Sequence, residues 1–198
     1  SFGSALVVID GAIPTVALPT IARELAVSSA VVTNVVTVYQ LVLVMLLLPF
    51  SALGDRVGHR TLYQWGQGVF MLASAACLLV DQFAGLLLLR AVQAVGAAMV
   101  LSVSAAMMRQ IYPASHLGTG MGINGVIVSS SAALAPTLGG WIVGNAAWQL
   151  VFVVAAPLAL LSLVLGRALP DPAPRPHQQV QWLSSGLSAL TMLALVGG

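Results

Sequence analysis

Residues 1–20 read SFGSALVVIDGAIPTVALPT, and Asp10 is the only charged residue in this apolar run. About 20 such residues are the length that an α-helix needs to cross a lipid bilayer. A carboxylate inside a spanning helix is costly unless it faces water or a partner, which makes an isolated one a candidate functional group. We expect its partner to be Arg90, which borders another apolar run. The alternative is a structural acid that is capped or faces a pore.

The rest of the chain has the composition of a membrane protein. Of its 198 residues, 59% are hydrophobic and only 6% are charged, which leaves too little polar surface for a soluble domain. Lipid offers no partner to open backbone groups, and the apolar runs lack the alternation of barrel strands, so we expect helical spans. Seven are predicted, at residues 2–20, 31–53, 61–80, 85–108, 117–143, 148–168 and 181–198.

The arginines between these spans predict the orientation, because positively charged loops stay cytoplasmic. One side of the bundle carries Arg56, Arg60, Arg109, Arg167 and Arg175. Only Arg23 lies on the other side, so the first helix is expected to start in the cytoplasm. The net charge of +2 therefore reflects membrane orientation and not nucleic-acid binding.

The order of the spans predicts three regions. Residues 1–169 form a six-helix bundle, residues 170–180 a proline-rich cytoplasmic linker, and residues 181–198 the start of a seventh helix. Six helices and a linker are typical of one half of a transporter, built from two three-helix repeats of inverted topology. The first and fourth helices, which carry Asp10 and Arg90, would then lie at equivalent positions beside a central cavity. We expect the chain to be part of a longer protein that includes a C-terminal half.

Four motifs occur on successive parts of this bundle. They are IDGAIPTVALP at residues 9–19, LGDRVGHR at 53–60, LRAVQAVGAA at 89–98 and APTLGG at 135–140. In this order they resemble the N-terminal half of the major facilitator superfamily, in particular its drug:proton antiporters with fourteen spans. The resemblance covers nearly the whole chain and implies an all-α transmembrane protein of the bacterial plasma (inner) membrane.

The motifs of the first and fourth helices surround the two isolated charges. Pro14 has no N–H, so the carbonyl of Asp10 lacks its helical partner. Arg90 and Gln93 share a helix face at a spacing of three, and Gly96 allows close contact with a neighbouring helix. By resemblance, Asp10 and Arg90 take part in proton coupling. The alternative for Arg90 is a side chain that snorkels to the outer interface.

The second motif lies at a cytoplasmic turn. Gly58 permits a tight turn, and an aspartate beside arginines can form charge-assisted hydrogen bonds that break when two halves move. The resemblance implies a conformational latch made of Asp55, Arg56, Gly58 and Arg60, in which His59 stands where the family has a basic residue. The alternative is ordinary positive-inside topology, which explains the arginines alone.

The fourth motif resembles the antiporter motif of the fifth helix, with Pro136, Gly139 and Gly140 in place. A proline beside glycines makes a bendable point in a helix. Small residues also recur at a spacing of four, at Gly118 and Gly122 and again at Gly140 and Gly144, which predicts close helix packing. The resemblance implies exchange rather than uptake, and helix packing alone is the alternative.

Together these features predict export of a small organic molecule coupled to proton entry by alternating access. A motion that separates a buried carboxylate from a guanidinium favours its protonation, and a cationic substrate could compete with the proton for Asp10. Polar groups expected to line the cavity are Asn34, Tyr39, Gln40, Gln67 and Gln93. Each could instead form a hydrogen bond between helices. The expected partners are the lipid bilayer, the substrate, protons and the C-terminal half.

Two other activities stay open. The first is a facilitator or lipid exporter of the same fold without proton exchange, for which Ala12 and Ala135 are the departures from the antiporter pattern. The second is a membrane-embedded enzyme or receptor, which is disfavoured because no histidine or cysteine cluster suits a metal and no catalytic set is recognisable. No cofactor or metal is therefore expected. Cys77, the single cysteine, is interpreted as a packing residue.

Overall fold

The structure is a computed structural model that describes residues 2–111, 113–154, 156–157 and 160. Its α-helices are α1 (Phe2–Glu24), α2 (Ser29–Val32), α3 (Asn34–Val57), α4 (His59–Ala76), α5 (Phe83–Ile111) and α6 (Leu117–Asn145). Short 3-10 helices are η1 (Cys77–Leu79), η2 (Ala114–His116) and η3 (Trp148–Phe152). The predicted linker at 170–180 and the predicted seventh helix at 181–198 lie outside the described residues.

Four of the described segments are long and apolar enough to cross a bilayer. They are Ala5–Glu24, Ser29–Val57, Phe83–Arg109 and Leu117–Asn145. The predicted third span corresponds to α4 and η1, and α4 has 18 residues that begin with His59 and Arg60. These polar residues make α4 less apolar than the other four segments. The predicted sixth span begins with the 3-10 helix η3, and most of its remainder lies outside the described residues.

A single residue joins α3 to α4. Gly58 has a backbone φ of +94°, a conformation that residues with a side chain rarely adopt. Its N–H donates to the carbonyl of Gly54 at 3.0 Å, and its own carbonyl accepts from Leu62 at 3.1 Å. The predicted tight turn at Gly58 is confirmed, and it places the charged residues of the second motif at one end of the bundle.

Glycines let three pairs of helices come close. A Cβ added to Gly96 of α5 would lie 2.7 Å from the carbonyl oxygen of Gly66 of α4, so the two backbones are in contact. A Cβ on Gly54 of α3 would lie 2.6 Å from Val103 of α5. Gly139 of α6 meets the carbonyl of Ile13 of α1 in the same way, at 3.1 Å. The predicted close contact at Gly96 is confirmed.

Helix α1 is held in place by a stripe of apolar side chains that recur every four residues along it. The buried stripe of α1 is Ile9, Ile13, Ala17 and Ile21, and it packs in one cluster with Ala135, Ile142, Trp148, Val151 and Phe152 of α6 and η3. Asp10 follows Ile9, so its side chain projects about 100° around the helix from this stripe. The stripe therefore fixes α1 against α6 and η3, while Asp10 faces α5.

The other α6 glycines contact no helix in the described part of the chain, so their predicted packing stays a prediction. Cβ atoms added to Gly118, Gly122, Gly140 or Gly144 would have nothing within 4 Å. The face of α6 that packs is instead the one with Gly120, Ala135, Gly139 and Ile142. A spacing of four identifies a common face, but it does not identify which face meets a neighbour.

Candidate functional site

The centre of the bundle holds an ion pair. The Arg90 NH1 atom lies 2.8 Å from Oδ2 of Asp10, and neither side chain has exposed surface. The predicted contact between the first and fourth helices is thus confirmed. The snorkelling alternative for Arg90 fails, because its guanidinium turns inward and lies among α1, α3 and α5.

Arg90 has acceptors other than the carboxylate. NH1 also donates to Oε1 of Gln93 at 2.9 Å, and Nε donates to the carbonyl of Val35 at 3.5 Å. NH2 donates to the backbone carbonyl of Asp10 at 3.4 Å. That carbonyl is available because Pro14, four residues later, has no N–H to offer it. Three helices therefore contribute oxygen atoms to one guanidinium.

Two aromatic rings also contact this guanidinium. The Arg90 Cζ atom lies 4.1 Å from the ring centroid of Tyr39 and 5.1 Å from that of Phe152. Both distances are within the range of cation–π attraction, which is strongest when the groups are removed from water. Phe152 is itself held by an edge-to-face contact with Trp148, with centroids 6.1 Å apart. The rings replace part of the hydration that the buried cation has lost.

A side-chain relay extends the site to α4 and η1. The Nε2 atom of Gln93 donates to Oγ of Ser74 at 2.8 Å, which orients the amide so that Oε1 faces Arg90. The thiol of Cys77 lies 4.0 Å from the same Oε1 atom. Sequence reasoning missed Ser74, because a serine in an apolar run gives no signal, and it assigned Cys77 to packing alone.

One side of the ion pair has only the Tyr39 hydroxyl beside it. Oδ1 of Asp10 and the hydroxyl of Tyr39 are both buried, and apart from each other neither has a hydrogen-bond partner within the described residues. The Tyr39 hydroxyl is near enough to the carboxylate to interact with it electrostatically. Because unpaired buried oxygen atoms are rare in folded proteins, such a pair is a candidate binding point for a proton or a small polar group.

The predicted cavity residues divide into two groups. Tyr39, Gln67 and Gln93 are buried inside the bundle, and Gln93 forms the hydrogen bond between helices that was the alternative prediction. Asn34 and Gln40 of α3 are exposed. These two therefore remain the candidates for contact with a substrate in a central cavity.

The second motif forms a local side-chain contact. His59 Nε2 lies 3.2 Å from Oδ1 of Asp55, across the Gly58 turn, with the aspartate side chain 51% exposed and the histidine 16%. Arg56 is exposed and Arg60 is half-buried. His59 was not among the predicted latch residues, although its spacing of four from Asp55 would have indicated the contact. A latch function stays a prediction.

The antiporter motif meets the first helix near the ion pair. Gly139 is buried against Ile13, less than one helical turn from Asp10, whereas Pro136 and Gly140 are exposed. The motif thus contributes two packing positions against α1, Ala135 and Gly139, and leaves its other residues on an open face of α6.

The fold and the apolar segments define an α-helical integral membrane protein. Residues 1–196 match the model of the Major Facilitator Superfamily. The chain belongs to this family of membrane transporters, which confirms the resemblance found in the motifs. The predicted fold class, the N-terminal half of such a transporter, is confirmed by solved transporter structures.

Two curated relatives illustrate the similarity. The chain is 41% identical over 196 residues to an uncharacterized transporter, YebQ, of Escherichia coli, covering 98% of this chain and 43% of YebQ. It is 30% identical over 192 residues to the methyl viologen resistance protein SmvA of Salmonella typhimurium, covering 96% of this chain and 39% of SmvA. This chain therefore spans less than half the length of either relative.

A solved structure has the same fold. The crystal structure of a bacterial homologue of the human lysosomal transporter Spinster, in an inward-facing and unoccupied conformation, superposes with a TM-score of 0.72. The match covers 90% of this chain and 44% of that one, at 20% sequence identity. At this identity the likeness concerns the fold alone.

Proposed function

We propose that this chain is the N-terminal half of a secondary active transporter that exports a small organic or drug-like molecule in exchange for protons. The observation that carries the proposal is the fully buried contact of Asp10 with Arg90 between α1 and α5. Ionisable groups inside a membrane protein mark ion and substrate pathways, because they are otherwise too costly to keep. A purely structural bundle could be packed with apolar side chains at lower cost.

The geometry supports a role for the Asp10 carboxylate in binding a proton and a cationic substrate in turn. Arg90 occupies Oδ2 of Asp10, while Oδ1 has no partner in the described part of the chain apart from the nearby Tyr39 hydroxyl. A proton can add to Oδ1, and a cationic substrate would be attracted to the same carboxylate. Competition between the two would couple proton entry to substrate release.

Alternating access is required for this exchange. Asp10 is 1% exposed, so water and substrate reach it only after the helices around it move. We assign the opposing wall of the cavity to the C-terminal half, which faces Asn34 and Gln40 of α3 in this proposal. The one-residue turn at Gly58, with Asp55 and His59 beside it, is then the cytoplasmic point where contacts break and re-form.

Relatives named for resistance and export support export, and one of them supports a cationic substrate. SmvA is named for resistance to methyl viologen, which is a dication. A buried carboxylate is a suitable counter-ion for such a molecule, and export would lower its concentration in the cell. The proposed location is the bacterial inner membrane, with the first helix starting on the cytoplasmic side.

The proposal is tested with the full-length protein in everted membrane vesicles that hold a proton gradient. Methyl viologen is added, and a pH-sensitive dye reports proton efflux from the vesicle lumen. We expect a dye response from wild-type protein and none from Asp10→Asn. The matched control is Asp81→Asn, which makes the same change at an exposed acid between η1 and α5 and should leave the response intact.

Each outcome separates the candidate activities. An undiminished response from Asp10→Asn would contradict the coupling role of that carboxylate. Methyl viologen transport that ignores the proton gradient would favour a facilitator, the activity that Ala12 and Ala135 leave open. Absence of both transport and proton movement in wild-type protein would contradict a cationic substrate of this kind.

A further inference from the structure

Helix α1 contains two prolines with different surroundings. Pro14 and Pro19 each remove the N–H that would bind the carbonyl four residues earlier, which belongs to Asp10 and Thr15 respectively. The freed carbonyl of Asp10 accepts a hydrogen bond from NH2 of Arg90 at 3.4 Å. Arg90 is thus attached to α1 at two points, the side chain and the backbone of one residue.

Only one of the acceptors around Arg90 can change its protonation state. Oδ2 of Asp10 is titratable, whereas the carbonyls of Asp10 and Val35 and the amide oxygen of Gln93 are not. The ring of Phe152 near the guanidinium is also independent of pH. Protonation on Oδ1 would therefore remove the negative charge and weaken the contact of Arg90 with Oδ2, and it would leave the other three acceptors unchanged.

The surroundings of Asp10 leave few groups that could compete for the proton. Among the described residues, its charged or titratable neighbours are Arg90 on α5, Tyr39 on α3 and Cys77 on η1. The elements α2, α6 and η3 carry no charged or titratable residues at all. Oδ1 is the oxygen that Arg90 does not occupy, and the Tyr39 hydroxyl interacts with the carboxylate and has no other partner among the described residues.

We propose that Pro14 is a positioning residue that keeps Arg90 attached to α1 while Asp10 takes up the transported proton on Oδ1. The proton and the guanidinium then occupy the carboxyl group together and do not displace one another. This inference rests on the proposed function in one respect, namely that Asp10 is the group that takes up the proton.

Restoring an N–H at position 14 should weaken the backbone attachment. The new N–H would compete with Arg90 for the Asp10 carbonyl, so that Arg90 would be held on α1 by Oδ2 alone. Protonation on Oδ1 weakens the Oδ2 contact, so Arg90 would then shift toward Gln93, and this relaxation favours the protonated form. The pH at which half of Asp10 is protonated should therefore rise, by about 0.5–1 unit, a three- to tenfold change in proton affinity.

The test is an infrared titration of the full-length protein in lipid nanodiscs. The C=O stretch of a protonated carboxyl group is followed against pH, and the Asp10 contribution is the part that disappears in Asp10→Asn. Pro14→Ala is expected to raise the midpoint of this band. Pro19→Ala, which restores the same group in the same helix away from Arg90, should leave the midpoint unchanged.

A second comparison separates positioning from a general change in helix shape. In an Arg90→Gln background, Pro14→Ala should no longer move the midpoint, since the group that it positions is absent. An equal shift from Pro19→Ala, or a shift that persists without Arg90, would overturn the proposal. An unchanged midpoint in Pro14→Ala would overturn it as well.

Failure of the proposed function and failure of the variant to accumulate can each be told apart from failure of this inference. If no band is lost in Asp10→Asn at any pH, the proposed function fails, because Asp10 is then never protonated. Should Pro14→Ala not accumulate, Pro14→Val restores the same N–H with another apolar side chain. It is subject to the same criteria.

Discussion

Replacing Arg90 with glutamine should destabilise the bundle strongly and in a pH-dependent way. The change removes the cation that lies 2.8 Å from Asp10 and leaves a fully buried carboxylate. For two unit charges about 4 Å apart at an effective dielectric constant near 20, the lost attraction is about 4 kcal/mol. Alternatively, the buried carboxylate takes up a proton and becomes neutral. At pH 7, which is roughly three pH units above the ordinary pKa of an aspartate, this protonation costs about 1.4 kcal/mol for each of those units. Both routes give a loss of about 4 kcal/mol.

Protonation of Asp10 in Arg90→Gln also determines how the stability of this variant changes with pH. In Arg90→Gln the folded state binds a proton at Asp10 that the unfolded state does not, so the stability of the variant rises as the pH falls. The deficit relative to wild type should shrink by about 1.4 kcal/mol per unit between pH 7 and about pH 4. The double variant Asp10→Asn/Arg90→Gln has no carboxylate there and should lack this extra dependence.

The assay is reversible unfolding of the full-length protein in mixed detergent micelles, followed by tryptophan fluorescence. The four proteins of the double-mutant cycle are compared at pH 7 and pH 5. We expect the double variant to be more stable at pH 7 than Arg90→Gln alone, because the unpaired carboxylate is gone. Strictly additive losses, or an Arg90→Gln deficit equal at both pH values, would refute the reasoning.

Three further predictions concern the packing and the relay. Gly66→Ala should cost about 1–3 kcal/mol, since its Cβ would lie 2.8 Å from the Gly96 carbonyl oxygen, whereas Gly68→Ala in the same helix has open space and should be neutral in the same unfolding assay. Ser74→Ala should cost about 1–3 kcal/mol by removing the acceptor of the Gln93 amide, and Ser74→Thr should restore most of it. His59→Ala should cost under about 1 kcal/mol, because Asp55 is half exposed, and a larger loss would indicate further contacts.

The central contact could be predicted from the sequence because isolated charges in apolar runs have few ways to be stabilised. Asp10 and Arg90 lie on helices that an inverted repeat places at equivalent positions, and no other charge was close to either in the chain. Pro14 predicted a free carbonyl at Asp10, and the structure shows that Arg90 uses it. Gly58 and Gly96 were predictable for a similar reason, since a tight turn or a close crossing needs glycine.

The other contacts of the site depend on how the helices pack in three dimensions, which the spacing of residues in the sequence does not specify. Phe152 resembles any aromatic residue in an apolar run, and only the fold brings its ring within 5.1 Å of the Arg90 Cζ atom. Gly66 could not be recognised as the partner of Gly96, because the crossing point of α4 and α5 is set in three dimensions. For the same reason the sequence could not show which glycines of α6 pack within the described residues, where Gly139 packs while Gly140 lies on an open face.

The most direct test of the account is the proton released when methyl viologen binds to purified full-length protein in weakly buffered solution. If substrate and proton compete for Asp10, adding methyl viologen below neutral pH should acidify the solution with wild-type protein. Asp10→Asn should bind methyl viologen more weakly and, at concentrations high enough to occupy the site, release no protons, and Asp81→Asn should behave as wild type. Equal proton release by wild type and Asp10→Asn, with methyl viologen bound to both, would contradict the claim that this buried carboxylate couples the two.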